Sequence, residues 1–73
     1  MEQFIVVAHI GDTTYAWSNN GRWIPRMMAV NDQLWKKWET RQEANHVANW
    51  KQKGFDADPR MSDIKVRVEI YHV

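Results

Sequence analysis

Three features of this chain predict an α+β domain in which one helix packs across a three- to four-stranded antiparallel or mixed sheet. Residues 40–55 combine helical periodicity with a start signal and a stop signal. Ahead of them lie strand-like runs separated by turn residues. Behind them, residues 64–71 alternate apolar and charged side chains. The predicted order is β-β-β-α-β, in a single domain spanning residues 1–73.

The first strand is the apolar, β-branched run at residues 4–10, bounded by Gly11-Asp12. Phe4, Val6, Ala8 and Ile10 lie on one face and Ile5 and Val7 on the other, a pattern expected of a strand inside a sheet. Gly11-Asp12 turns the chain into a second strand at residues 13–18, with Tyr15 and Trp17 on one face. Asn19-Asn20-Gly21-Arg22 then predicts a hairpin, because Asn-Gly tolerates the positive φ angles of a type I′ turn. Trp23-Ile24 begins the return strand, and Pro25 frays it by removing a backbone donor.

Residues 26–33 admit a strand continuation, a helical turn or a loop over the sheet. Met27-Met28-Ala29-Val30 is apolar, and Asn31-Asp32 suits a turn or a cap. Residues 34–38 read as a short strand leading into the helix. Thr40 and Glu43 form an S/T-x-x-E capping box, and Ala44, Val47, Ala48 and the stem of Lys51 make a narrow apolar stripe. Gly54 is expected as a left-handed stop, with Phe55 against Trp50. Lys51 and Lys53 suit the negative end of the helix dipole. A polar loop over residues 56–63 leads to the last strand, where Ile64, Val66, Val68 and Ile70 face inward and Lys65, Arg67 and Glu69 face water.

Seventy-three residues, 44% hydrophobic and 26% charged, have a globular balance. So short a chain buries only about 60% of its unfolded surface, and a net stability of roughly 5 kcal/mol is expected. Five tryptophans help such a small core to hold. The net charge of +1 lacks the general footprint of a nucleic-acid binder. Residues 22–41 are nevertheless locally basic, with Arg22, Arg26, Lys36, Lys37 and Arg41 against Asp32 and Glu39. The chain has no cysteine, so disulfides and thiolate metal sites are excluded. There is no apolar run of membrane length and no signal-peptide pattern, so a soluble cytoplasmic protein is expected.

His9, His46 and His72 show no metal-ligand spacing, and His9 and His72 meet only if the first and last strands pair. Asp56, Asp58 and Asp63 do not match a calcium loop and read as solvated acids. No enzyme, cofactor or metal site is therefore expected. The aromatic and basic residues are interleaved: Trp17, Arg22, Trp23, Arg26, Trp35, Lys36, Lys37 and Trp38. Such sets anchor protein interfaces, and they also stack single-stranded nucleic acid. Trp17, Arg22, Trp23, Trp35 and Lys37 are the candidate contact residues. One helix covers one face of a sheet, so Ile5, Val7 and Tyr71 need cover on the other. The Met27–Val30 stretch supplies it, or a second copy does in a homodimer formed through a sheet edge or face.

In layout the chain resembles short phage and prophage accessory proteins. The matching positions are Tyr15 and Trp17, Gly21 and Trp23, and Trp38-Glu39-Thr40-Arg41-Gln42-Glu43-Ala44. The resemblance spans most of the chain, carries no catalytic motif and departs from the compact pattern at residues 27–33. It implies an accessory protein of a mobile element, some of whose counterparts bind and inhibit host defence machinery. The leading expectation is thus a non-enzymatic protein-binding module acting on a host protein complex. The alternative is a small single-stranded nucleic-acid binder using a Trp/Arg/Lys surface.

Overall fold

The strand predicted at residues 4–10 is the centre of the sheet. The computed structural model describes residues 2–28 and 34–72. β1 (Glu2–Ile10), β2 (Thr13–Trp17), β3 (Trp23–Pro25) and β4 (Lys65–His72) form one sheet in the order β3-β2-β1-β4. Every neighbouring pair is antiparallel. With the helix α1 (Arg41–Asp56) between β3 and β4, the order is β-β-β-α-β. Ile5, Val6, Val7 and Ala8 are fully buried, as befits a strand with neighbours on both sides and cover on both faces.

Two hairpins build the β1-β2-β3 half. Ile10 pairs with Thr13 across Gly11-Asp12. Gly11 has φ of 60° and no other residue of that turn has positive φ, the type II′ pattern whose twist suits a two-residue hairpin. The second turn differs from the expected type I′ form. Gly21 has φ of 73°, but among the described residues none other than glycine has positive φ. Trp17 pairs with Trp23, the Gly21 N–H donates to the Ser18 carbonyl at 3.1 Å, and the Ser18 N–H donates to the Arg22 carbonyl at 2.9 Å. The loop is therefore three residues long, a turn followed by a left-handed glycine. Asn20 keeps negative φ because Gly21 alone supplies the left-handed position.

α1 starts as predicted. The Thr40 hydroxyl accepts from the Glu43 N–H at 3.2 Å, and its own proton goes to the Glu43 carboxylate at 2.9 Å. Ala44 and Ala48 are buried against Val6, with Phe4, Val47, Val66 and Val68 around them. Two alanines on the inner stripe let the helix lie close to β1 and β4. The expected stop at Gly54 is not used. Gly54 is helical, the helix runs to Asp56, and Ala57 is the cap residue in right-handed conformation. Phe55 packs on Trp23 rather than Trp50, with ring centroids 6.1 Å apart. That contact carries the last turn past the glycine.

The other face has a core of its own: Ile5, Val7, Ala16 and Trp35, with Ile24, Leu34 and Tyr71 packed against it. Its cover is Trp35, only 3% exposed, and not Met27, which is 88% exposed. Arg26–Met28 forms a single 3-10 turn; the apolar Ala29-Val30 and the Asn31-Asp32 turn expected after it lie outside the described residues. The strand expected at residues 34–38 is reduced to two isolated bridges, Ser18 with Trp35 and Phe4 with Trp38. Past the Val7–Ala16 pair, β1 and β2 stop pairing, and this segment enters the gap. Its Lys36 N–H bonds the Trp17 carbonyl of β2, whereas Trp38 exchanges both backbone bonds with Phe4 of β1. Partners on two different strands cannot make one ladder. The segment also carries the chain from the Trp35 face to the helix face.

Truncating a buried tryptophan costs about 3–5 kcal/mol, close to the whole expected net stability. Trp35→Ala is therefore expected to retain at most about 2 kcal/mol in a urea titration at 25 °C, while Trp50→Ala, at a position 71% exposed, should stay within about 0.5 kcal/mol of wild type. Gly54 is helical, and a Cβ there meets nothing within 4 Å. Gly54→Ala is expected to raise stability by about 0.5–1 kcal/mol, read as a higher urea midpoint.

Candidate functional site

Trp17 and Trp23 face each other at the end of the β2–β3 ladder. Both lie on the helix side of the sheet, and their rings meet edge to face, 5.1 Å between centroids and 72° between planes. The last turns of α1 rise beside them. There the Lys51 ammonium lies 3.2 Å from the Trp17 ring centroid, 5.8 Å from that of Trp23 and 5.6 Å from that of Trp50. Three indoles thus surround one cation.

Beyond the helix the chain makes a series of tight turns: Asp58 N–H to the Phe55 carbonyl, Met61 N–H to Asp58, and Ile64 N–H to Met61. These bring Met61 back alongside the helix end. The result is a shallow groove of about 590 Å³ lined by Trp17, Trp23, Trp50, Lys51, Lys53, Gly54, Phe55 and Met61. Trp50 is 71% exposed and Met61 42% exposed at its mouth. An open groove with an indole and a thioether at its rim and lysines beside them suits contact with a partly apolar partner.

Of the five expected contact residues, the fold brings Trp17 and Trp23 together and places Arg22 beside them in the exposed hairpin turn. It separates the other two. Trp35 is a correction: it is buried under the opposite face and has no contact surface to offer. A lone extended segment beside an uncovered apolar face buries its largest side chain. Lys37 also lies away from the groove, its ammonium 4.9 Å from the Tyr71 ring, which packs on that opposite core. Trp50, Lys51, Phe55 and Met61 were absent from the expected set. Trp50 was legible as an aromatic on the polar side of the helix, but reading Gly54 as the stop assigned it to a local contact with Phe55.

The remaining polar candidates do not converge on a site, and the buried His9 Nε2 has no hydrogen-bond partner among the described residues. β1 and β4 do pair, yet the register sets His9 opposite Lys65 and His72 opposite Glu2, at the two ends of the ladder. His9 Nδ1 is 3.1 Å from the Thr14 hydroxyl. Asp58 accepts from the Arg60 N–H, Nε and Nη2 at 3.0–3.3 Å, and the Arg60 side chain holds its carboxyl below the usual carboxylate range. Asp56 accepts from Gln52 at 3.1 Å. Among the described residues there is no group of three potential metal ligands and no helix long and apolar enough to cross a membrane. No protein-family model, curated protein or solved structure matches the chain.

Burial beside the indoles lowers the Lys51 pKa from the ordinary 10.5, because desolvation disfavours the charged amine. The ring faces act in the opposite sense, favouring the cation. With the folded pKa below the unfolded one, the unfolded chain binds more protons between the two values, so this group's contribution to stability rises with pH across that window. Titration of the Lys51 ε-methylene by NMR is expected to give a midpoint below the ordinary 10.5. A midpoint at or above that value would show that the ring faces cancel the cost of burial.

Proposed function

We propose that this chain is a non-enzymatic protein-binding module that holds a partner in the groove between the β2–β3 hairpin and the end of α1. The observation that carries the reading is Trp50, 71% exposed at the mouth of a groove walled by Trp17, Trp23 and Phe55. An indole left in water on so small a chain is costly, and aromatic side chains of this kind dominate the energetics of protein interfaces. The lining consists of indole, phenyl, thioether and ammonium groups, which bind by contact. Lys51 and Lys53 favour a partner segment in which an apolar anchor is flanked by carboxylates.

The layout shared with phage and prophage accessory proteins supports a biological setting for that contact. The module occludes a surface of a host protein complex, a defence assembly being the example that class suggests. Occlusion needs no chemistry from the module, only a tight and well-placed apolar patch with a basic rim.

Affinity capture from bacterial lysate, run with wild type and Trp50→Ala, tests the reading. The variant is expected to keep its fold and to lose binding by about thirtyfold, the effect of a 2 kcal/mol hot spot. Equal capture by both would remove the groove from the interaction. The same pair titrated with short single and double strands decides the nucleic-acid alternative. Saturable quenching at low salt that fades steeply as salt rises would favour it.

A further inference from the structure

The two outer strands of the sheet are unequal. β3 is three residues long and ends on Pro25, whose nitrogen has no proton to offer a neighbour. β4 is eight residues long and forms the other edge. Phe4 exchanges both of its backbone bonds with Trp38, on the side away from β4. Ladder alternation then makes Ile5–Glu69 and Val7–Arg67 the hydrogen-bonded pairs of β1 and β4. Val66, Val68 and Ile70 therefore turn their N–H and C=O groups outward.

The helix closes only the first of these outward positions. The Gln52 side chain accepts from the Val66 N–H at 2.7 Å and donates to the Ile64 carbonyl at 2.8 Å, standing in for a neighbouring strand. Among the described residues, nothing takes that role at Val68 or Ile70. Ile70 is also 38% exposed, although it sits on the face that α1 covers.

We propose that this edge is closed by a second copy of the chain, with two β4 strands pairing antiparallel about a two-fold axis at Val68. The two residues flanking Val68, Arg67 and Glu69, are opposite in charge. With the axis there, Val68 meets the partner's Val68, Arg67 meets the partner's Glu69, and Glu69 meets the partner's Arg67. Val66 meets the partner's Ile70, which covers the isoleucine left open at the edge. Moving the axis by one residue sets Arg67 against the partner's Arg67, or Glu69 against the partner's Glu69, and like charges directly opposite one another are unfavourable. Only one of these adjacent registers is self-complementary. Gln52 holds the Val66 N–H and leaves its carbonyl to the partner's Ile70, so the shared ladder is short and association depends on concentration. The groove lies toward β2 and β3, so this pairing is independent of the proposed function.

Sedimentation velocity of the full chain from micromolar to millimolar concentration tests it. Wild type is expected to rise from 8.7 kDa toward twice that mass. Arg67→Glu alone and Glu69→Arg alone each place like charges opposite one another in the homodimer, and each should associate roughly tenfold more weakly or worse. An equimolar mixture of the two variants restores opposite charges at both pairs and should regain the dimer. A wild-type monomer throughout, or variants that dimerise as well as wild type, overturns the proposal. Because Glu69 also bonds Arg26 and, within its own strand, Arg67 at 3.1 Å, each variant removes a contact of the monomer as well, and the wild-type measurement guards against a variant that fails to fold. Amide exchange at Val68 and Ile70 should slow as concentration rises, and concentration-independent exchange at both overturns the proposal as well.

Discussion

Four consecutive residues of β1, Ile5 to Ala8, are wholly removed from water, which requires apolar cover on both faces of a sheet served by a single helix. Burying a valine or isoleucine side chain contributes about 1.5–3 kcal/mol, so an open second face would forfeit much of a net stability near 5 kcal/mol. The chain meets this demand with an irregular segment. Trp35 seals the face that α1 cannot reach, and three positions later Trp38 pairs with Phe4 and packs in the helix-side core. Two tryptophans are thereby committed to the interior, and the crossing between them sets where the helix begins.

The residues gathered around Lys51 follow from that commitment. α1 starts beside Phe4, where the Arg41 guanidinium lies 5.0 Å from the ring, and ends beside Trp17 and Trp23. Its inner stripe is spent on Val6, Val66 and Val68 through small residues. The large aromatics at the far end consequently meet one another and a lysine rather than a closed core. The indole faces attract the ammonium while its partial burial costs hydration, so the two effects oppose one another.

Much of the local chemistry was legible, although the Asn20-Gly21 turn took a three-residue form in place of type I′. The Thr40–Glu43 box marked the helix start, and the alternation of Ile64, Val66, Val68 and Ile70 marked β4. Gly54 misled because a glycine near a helix end is a stop only if the chain turns left-handed there. The Phe55–Trp23 contact, 32 residues apart in sequence, kept it helical. Trp35 and Trp50 were harder still. Both are tryptophans near lysines, and what buries one and exposes the other is tertiary: the gap between β1 and β2 in one case, the outer side of α1 in the other. Neither is a property of the neighbouring residues.

The pairing of Glu2 with His72 joins residues from opposite ends of the described chain, and the longest ladder in the molecule is built on it. Closing that loop costs conformational entropy before any of its bonds form. Until β4 docks, the second edge of β1 stays open, although β2, Trp38 and α1 already reach the strand. Hairpins close in microseconds, whereas so non-local a pairing forms more slowly. The time for which that edge lies open during folding is therefore set by the arrival of residues 65–72.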